Sequence, residues 1–259
     1  MGYKKQIKPD RTHQVPDLKE YSIYQQEIVK LKKLCSSIQK EKSKEESQAL
    51  KNYVIIRLIG VSENLLKSMT AHLIDEFKIS AASMLEGDRV ELHLDLLDEL
   101  KSENITMGKI VTTTFGLSNA IQIALIFEKI NGMQESYAEA KKKKRKEGRI
   151  QTSMLFFDWL QNLSPFDKKE RNLFREADKL LKDRNDITHN VTDYHDSADS
   201  LLAKITFWQG LINMMWFASF IHLSRNRKKL QKQNATTCEQ SFGMKLDEFY
   251  EITGKYTKN

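Results

Sequence analysis

A chain of 259 residues with 40% hydrophobic side chains has room for one large domain or two small ones and can bury a sizeable core. Three Pro and ten Gly are few beside the abundant Lys, Glu, Leu, Ala, Ile and Gln, so the fold class reads as all-α rather than as many tightly turned strands. A net charge of +7 favours a polyanionic partner, while Cys35 and Cys238, far apart and without Cys-x2-Cys spacing, indicate neither a zinc site nor a disulfide framework and fit a reducing, cytoplasmic setting.

Residues 1–16 hold Lys, Asp, Arg and His but no apolar stretch of signal-peptide length, and read as a disordered lead-in. Over residues 17–50 the apolar positions Tyr21, Tyr24, Ile28, Leu31, Cys35 and Ile38 step by three and four, which predicts a helical arm whose seam must lie against something, in this chain or in a partner. The polar run from Lys40 to Ser47 either continues that helix or breaks it briefly. A bundle is expected over residues 51–230. Its first helix runs from Tyr53 to Phe77 with Ser62, Glu63 and Asn64 in its middle.

Gly87-Asp88 signals a turn, and Val90 to Leu100 reads as helix. The stretch from Asn104 to Phe115, with Gly108 and three successive threonines, reads as irregular or extended. A helix is then expected from Leu117 to about Lys146, broken by Gly148, and a short bulky one from Ile150 to Leu163. The next starts near Ser164-Pro165-Phe166-Asp167, where Asp167 and Glu170 have capping-box spacing, and continues through Ile187. Another covers Tyr194 to Lys229. Its segment from Ile205 to Leu223 has the length of a membrane span, but it holds Gln209, Asn213 and His222 and equally suits the central helix of a bundle, so no membrane association is expected. Residues 231–259 read as a polar linker and a short helix near Met244 to Tyr250.

Leu173, Ala177, Leu180, Arg184 and Ile187 step by four, three, four and three, so Arg184 occupies a position the pattern reserves for apolar residues. Its guanidinium either snorkels outward or meets an acid or phosphate at an interface. Asn185 and His189 share a face, whereas Arg184 and His189 stand about 140° apart around an ideal helix and flank a cleft. Arg and His together suit RNA cleavage by the neighbouring 2′-hydroxyl, which needs a proton acceptor near neutral pH and a cation for the developing phosphorane charge. Here His189 moves a proton, Arg184 stabilises charge, and Asn185 holds the geometry, with neither metal nor cofactor required. A plainer arrangement pairs Arg184 with Asp183 or Asp186 and leaves His189 as a helix end.

The segment FFDWLQNLSPFDKKERNLFREADKLLKDRNDITHN, with Arg-x4-His and Asn beside the Arg, resembles the HEPN superfamily, in the branch of ribonuclease toxins. The resemblance covers roughly residues 52–227. It implies an up-and-down bundle with the motif on a late helix, the catalytic pair Arg184 and His189, Asn185 as polar partner, and Glu63 as an acid facing the site. It further implies RNA as substrate, a homodimer through the motif helix, and a toxin or antiphage role with an antitoxin or defence-system partner. Other members are non-catalytic interaction or nucleotide-binding modules.

Two further groups carry chemistry. His189, Asp193, His195 and Asp196 have spacings that can gather a metal, although such residues after a helix end also serve as caps. The run Lys141, Lys142, Lys143, Lys144, Arg145 and Lys146 suits RNA backbone contact, a nuclear address or a solvated helix end.

Overall fold

The computed structural model describes residues 18–38, 43–80, 83–84, 106–113, 119–133, 155–163, 172–189 and 192–257. The expectations for residues 1–16, Gly87-Asp88, Val90 to Leu100, Lys141 to Lys146, Gly148 and the Asp167/Glu170 capping box lie outside these. Every regular element among the described residues is helical: α1 Leu18–Ile38, α2 Lys44–Phe77, α3 Met107–Thr113, α4 Ala120–Ile130, α5 Leu155–Leu163, α6 Leu173–His189, α7 Ala198–Leu223, a 3₁₀ turn Lys228–Leu230, α8 Gln231–Phe242 and α9 Leu246–Gly254. The chain is therefore an all-α bundle.

The seam of α1 is consumed within the chain. Tyr24, Ile28, Leu31, Cys35 and Ile38 are all buried, packed on α2 and α7, and the Tyr21 hydroxyl donates to Asn213 Oδ1 at 3.3 Å. The helical arm is thus part of the bundle core. The polar run does break, since Ser43 caps α2 by accepting from the Glu46 N–H at 3.2 Å. The expected boundary at residues 50 and 51 consequently falls inside α2. This helix packs against α1, α3, α4, α6 and α7 and is the spine of the bundle.

Three other segments depart from expectation for local reasons. Residues 107–113 are helical, because Thr106 Oγ1 accepts from the Lys109 N–H and Gly108 lets α3 press onto α2 while its N–H donates to Asp75 Oδ1 at 2.8 Å. A Cβ on Gly108 would stand 2.2 Å from the Ala71 carbonyl oxygen. Gly108→Ala is accordingly expected to cost about 1–3 kcal/mol in urea unfolding; unchanged stability would mean the α2–α3 contact is loose. Helix α4 stops at Ile130, where Asn131 caps it and Gly132 takes φ 69°, a turn signal overridden in the sequence by the charged pattern that follows. The expected linker at residues 231–240 lies in α8, whose buried face steps by four through Leu230, Asn234, Cys238 and Phe242.

Helix α7 runs through the middle, capped by Ser197, which accepts from the Ser200 N–H at 3.1 Å. Among the described residues no helix is long and apolar enough to cross a membrane. One polar side of α7 is tied to α4: Asn131 Nδ2 donates to Ser219 Oγ at 2.9 Å, and His222 Nε2 stands 3.1 Å from the Asn131 carbonyl oxygen, so that nitrogen carries the proton. The Nδ1 of His222 is buried without a partner among the described residues, as is the Nε2 of His72 beside Trp216.

Burial lowers the pKa of both histidines. It outweighs the Asn131 hydrogen bond at His222, where Arg225 adds to the lowering, and the nearby Glu76 and Asp75 at His72. Histidines harder to protonate in the fold contribute stability that is complete above the unfolded value of about 6.5 and lost as pH falls below it toward the folded values. Tm is expected to drop between about pH 7 and 5, with His222→Gln flattening part of the drop. A Tm constant across that window would contradict it.

Candidate functional site

Helix α6 begins after Asn172, whose Oδ1 accepts from the Arg175 N–H at 2.9 Å. Leu173, Ala177, Leu180 and Leu181 are buried against the bundle, and Ile187 packs at its edge. Arg184 continues that face. Its side chain is only 21% exposed, so the guanidinium turns inward along the bundle instead of snorkelling to solvent.

The group it meets is Glu63, from the middle of α2: Arg184 Nη2 lies 3.9 Å from Glu63 Oε2. Arg184 Nη1 donates to Asn185 Oδ1 at 2.9 Å, while Nε is buried with no hydrogen-bond partner among the described residues. The edge formed by Nε and Nη2 is thus ion-paired at long range but not saturated by hydrogen bonds among the described residues. Asn185 spends its oxygen on the guanidinium and so orients the Arg. His189 is exposed as the last residue of α6, one turn beyond Asn185.

Of the nine predicted site residues, then, the fold brings Glu63, Arg184 and Asn185 together and leaves His189 at the rim. The basic run Lys141, Lys142, Lys143, Lys144 and Arg145 lies outside the described residues. The alternative partner Asp183 belongs to another cation: its Oδ2 takes Lys204 Nζ at 2.8 Å, and the same Nζ reaches Asp196 Oδ2 at 2.8 Å.

Lys204 organises a group that sequence reasoning missed. Its ammonium sits 4.7 Å from the Tyr194 ring centre, and Asp196 also accepts from the Tyr194 hydroxyl at 2.9 Å and from Ser200 Oγ at 3.2 Å. Burial works against the charge on Lys204, but Asp183, Asp196 and Tyr194 together hold its pKa above the ordinary value. The Lys204 hydrogen bond is the main cause that carries Asp196 down to about 2, with Tyr194 and Ser200 assisting against burial. The available signal was Lys204 itself, the lone Lys or Arg in the apolar helix Ala198–Leu223.

These contacts bear on the metal spacing. Asp196 is engaged as described, and Asp193 Oδ1 accepts from Asn52 Nδ2 at 3.1 Å. Among the described residues no three His, Cys, Asp or Glu side chains stand together as a metal-holding group. The chain was also compared with known proteins: no family model matches it, and neither a curated protein nor a solved structure does.

Proposed function

We propose that this chain is a metal-independent endoribonuclease of the HEPN type, working as a homodimer and serving as a toxin or antiphage effector. The observation that carries the reading is the meeting of Glu63 with Arg184 and Asn185 across two helices, with His189 one turn further along α6. In this reaction the 2′-hydroxyl oxygen attacks the adjacent phosphorus and the bond to the 5′ oxygen breaks, leaving a 2′,3′-cyclic phosphate and a 5′-hydroxyl. Arg184 takes the phosphorane charge, Glu63 and Asn185 hold the guanidinium, and His189 handles the proton. Two copies across a twofold axis would supply one imidazole as base and the other as acid.

The test is incubation of the purified protein with RNA in excess EDTA. Cyclic-phosphate ends, formed by wild type and lost in His189→Ala and Arg184→Ala proteins that stay folded and dimeric, support the reading. Cleavage that needs added metal sinks it.

A second reading, a non-catalytic helical interaction module, is favoured by one feature: the Arg184–Glu63 pair also closes α6 onto α2 with no chemistry attached. Wild type that leaves every RNA in a varied panel intact would point to it.

A further inference from the structure

Asn52 lies eleven residues before Glu63, on the same face of α2, and both ends of its amide are occupied. Its Oδ1 accepts from the Tyr194 N–H at 2.9 Å, and its Nδ2 donates to Asp193 Oδ1 at 3.1 Å. One turn earlier, Gln48 Nε2 donates to the Tyr194 carbonyl oxygen at 2.7 Å and to Asn52 Oδ1 at 3.1 Å. Two side chains of α2 therefore satisfy both main-chain polar groups of Tyr194, whose ring is buried at 5% exposure. From the other side, Lys204 of α7 ties Asp183 to Asp196.

The consequence concerns His189. It ends its helix, and helix ends fray unless something downstream holds them. Asp183 is pinned six residues before it and Asp193 four residues after it, and four residues of chain span at most about 14 Å. The pin at Asp193 is made by α2, the helix that also carries Glu63. Asp193 and the Arg184 guanidinium thereby meet the same helix.

We infer that Asn52 is a positioning residue for His189: by clamping Asp193 and Tyr194 to α2 it ties down the backbone four residues past His189 and so limits where the imidazole can go. Its effect on rate rests on the nuclease reading; its effect on the place of His189 does not. Gln48 supports the same clamp.

The test compares Asn52→Ala with a matched disruption elsewhere, Asn162→Ala. That control removes a hydrogen bond from Asn162 Nδ2 to the Tyr256 hydroxyl at 2.5 Å on α5, a helix that meets α6 through Phe157 and Phe174 at the end opposite His189. Two readouts are taken well below the melting temperature: kcat and KM for RNA cleavage, and the His189 ring carbon–proton NMR signal through a pH titration. Asn52→Ala should lower kcat roughly ten- to a hundredfold with KM within about twofold, and should shift or broaden the His189 signal. Asn162→Ala should do neither at a comparable loss of Tm. The double variant Asn52→Asp with Asp193→Asn keeps the acceptor for the Tyr194 N–H and exchanges donor and acceptor between the two side chains, so it should recover kcat and the His189 signal, whereas Asn52→Asp alone should not.

The inference is overturned by wild-type kcat and an unmoved His189 signal in Asn52→Ala, by equal losses in the Asn162→Ala control, or by a double variant no better than its Asn52→Asp parent. If the wild type cleaves no RNA, the nuclease reading fails on its own, and the NMR comparison still decides the clamp.

Discussion

Arg184→Ala is expected to lower RNA cleavage at saturating substrate by about two to three orders of magnitude while leaving the bundle folded, because a donor aimed at developing charge is worth roughly 3–4 kcal/mol in the transition state. Stability should move far less: the pair with Glu63 is long at 3.9 Å and both side chains are about a fifth exposed, a setting in which ion pairs contribute on the order of 1 kcal/mol or less. Arg184→Lys separates charge from shape. It keeps the cation but loses the planar fork, so it should recover only part of the rate. His189→Ala should cost about 10²–10⁴ in rate, and as an exposed substitution it should change unfolding free energy by no more than about 0.5 kcal/mol. Measured rates within threefold of wild type for Arg184→Ala would remove the site from this helix pair.

The largest effect on the fold is expected at Trp159. It is fully buried on α5, its ring lies 5.8 Å from Phe156, 6.2 Å from Phe249 and 6.1 Å from His222, and its Nε1 donates to Thr253 Oγ1 at 3.1 Å. One side chain thus joins α5 to α7 and α9. Trp159→Ala should destabilise by about 3–5 kcal/mol in urea unfolding, from lost burial and a cavity that fixed helices cannot fill. Trp159→Phe keeps most of the volume but strands the Thr253 hydroxyl's incoming bond, and should cost less. A loss under about 1 kcal/mol for the Ala variant would show that α9 packs without this ring.

Periodicity made much of this architecture legible. The three- and four-residue steps of α1 and α6 correspond to their packed faces, whereas Ile56, which the pattern of α2 places on its apolar face, is exposed; the odd charge at Arg184 marked the seam position on α6 that meets a carboxylate. What escaped has physical causes. The threonines of α3 argued for extended chain, but Thr112 and Thr113 bond back to the Lys109 and Ile110 carbonyl oxygens and close the helix on itself. The face of α8 is thin, with Asn234, Cys238 and Phe242 at four-residue intervals after Leu230, so a linker and a helix look alike there. The Lys204 cluster and the Asn52 clamp join residues with no local pattern, and only tertiary contact reveals them.

The clamp also has a consequence for when the site exists. Asn52 and Gln48 reach residues 141 to 146 positions away, and Lys204 must arrive before Asp183 and Asp196 are joined. During synthesis the first two helices can pair as a local hairpin long before that. The face bearing Glu63 therefore waits, half-built, until the chain as far as Lys204 has been made. Any chemistry at Arg184 and His189 is therefore silent on a nascent chain that has not yet passed Lys204.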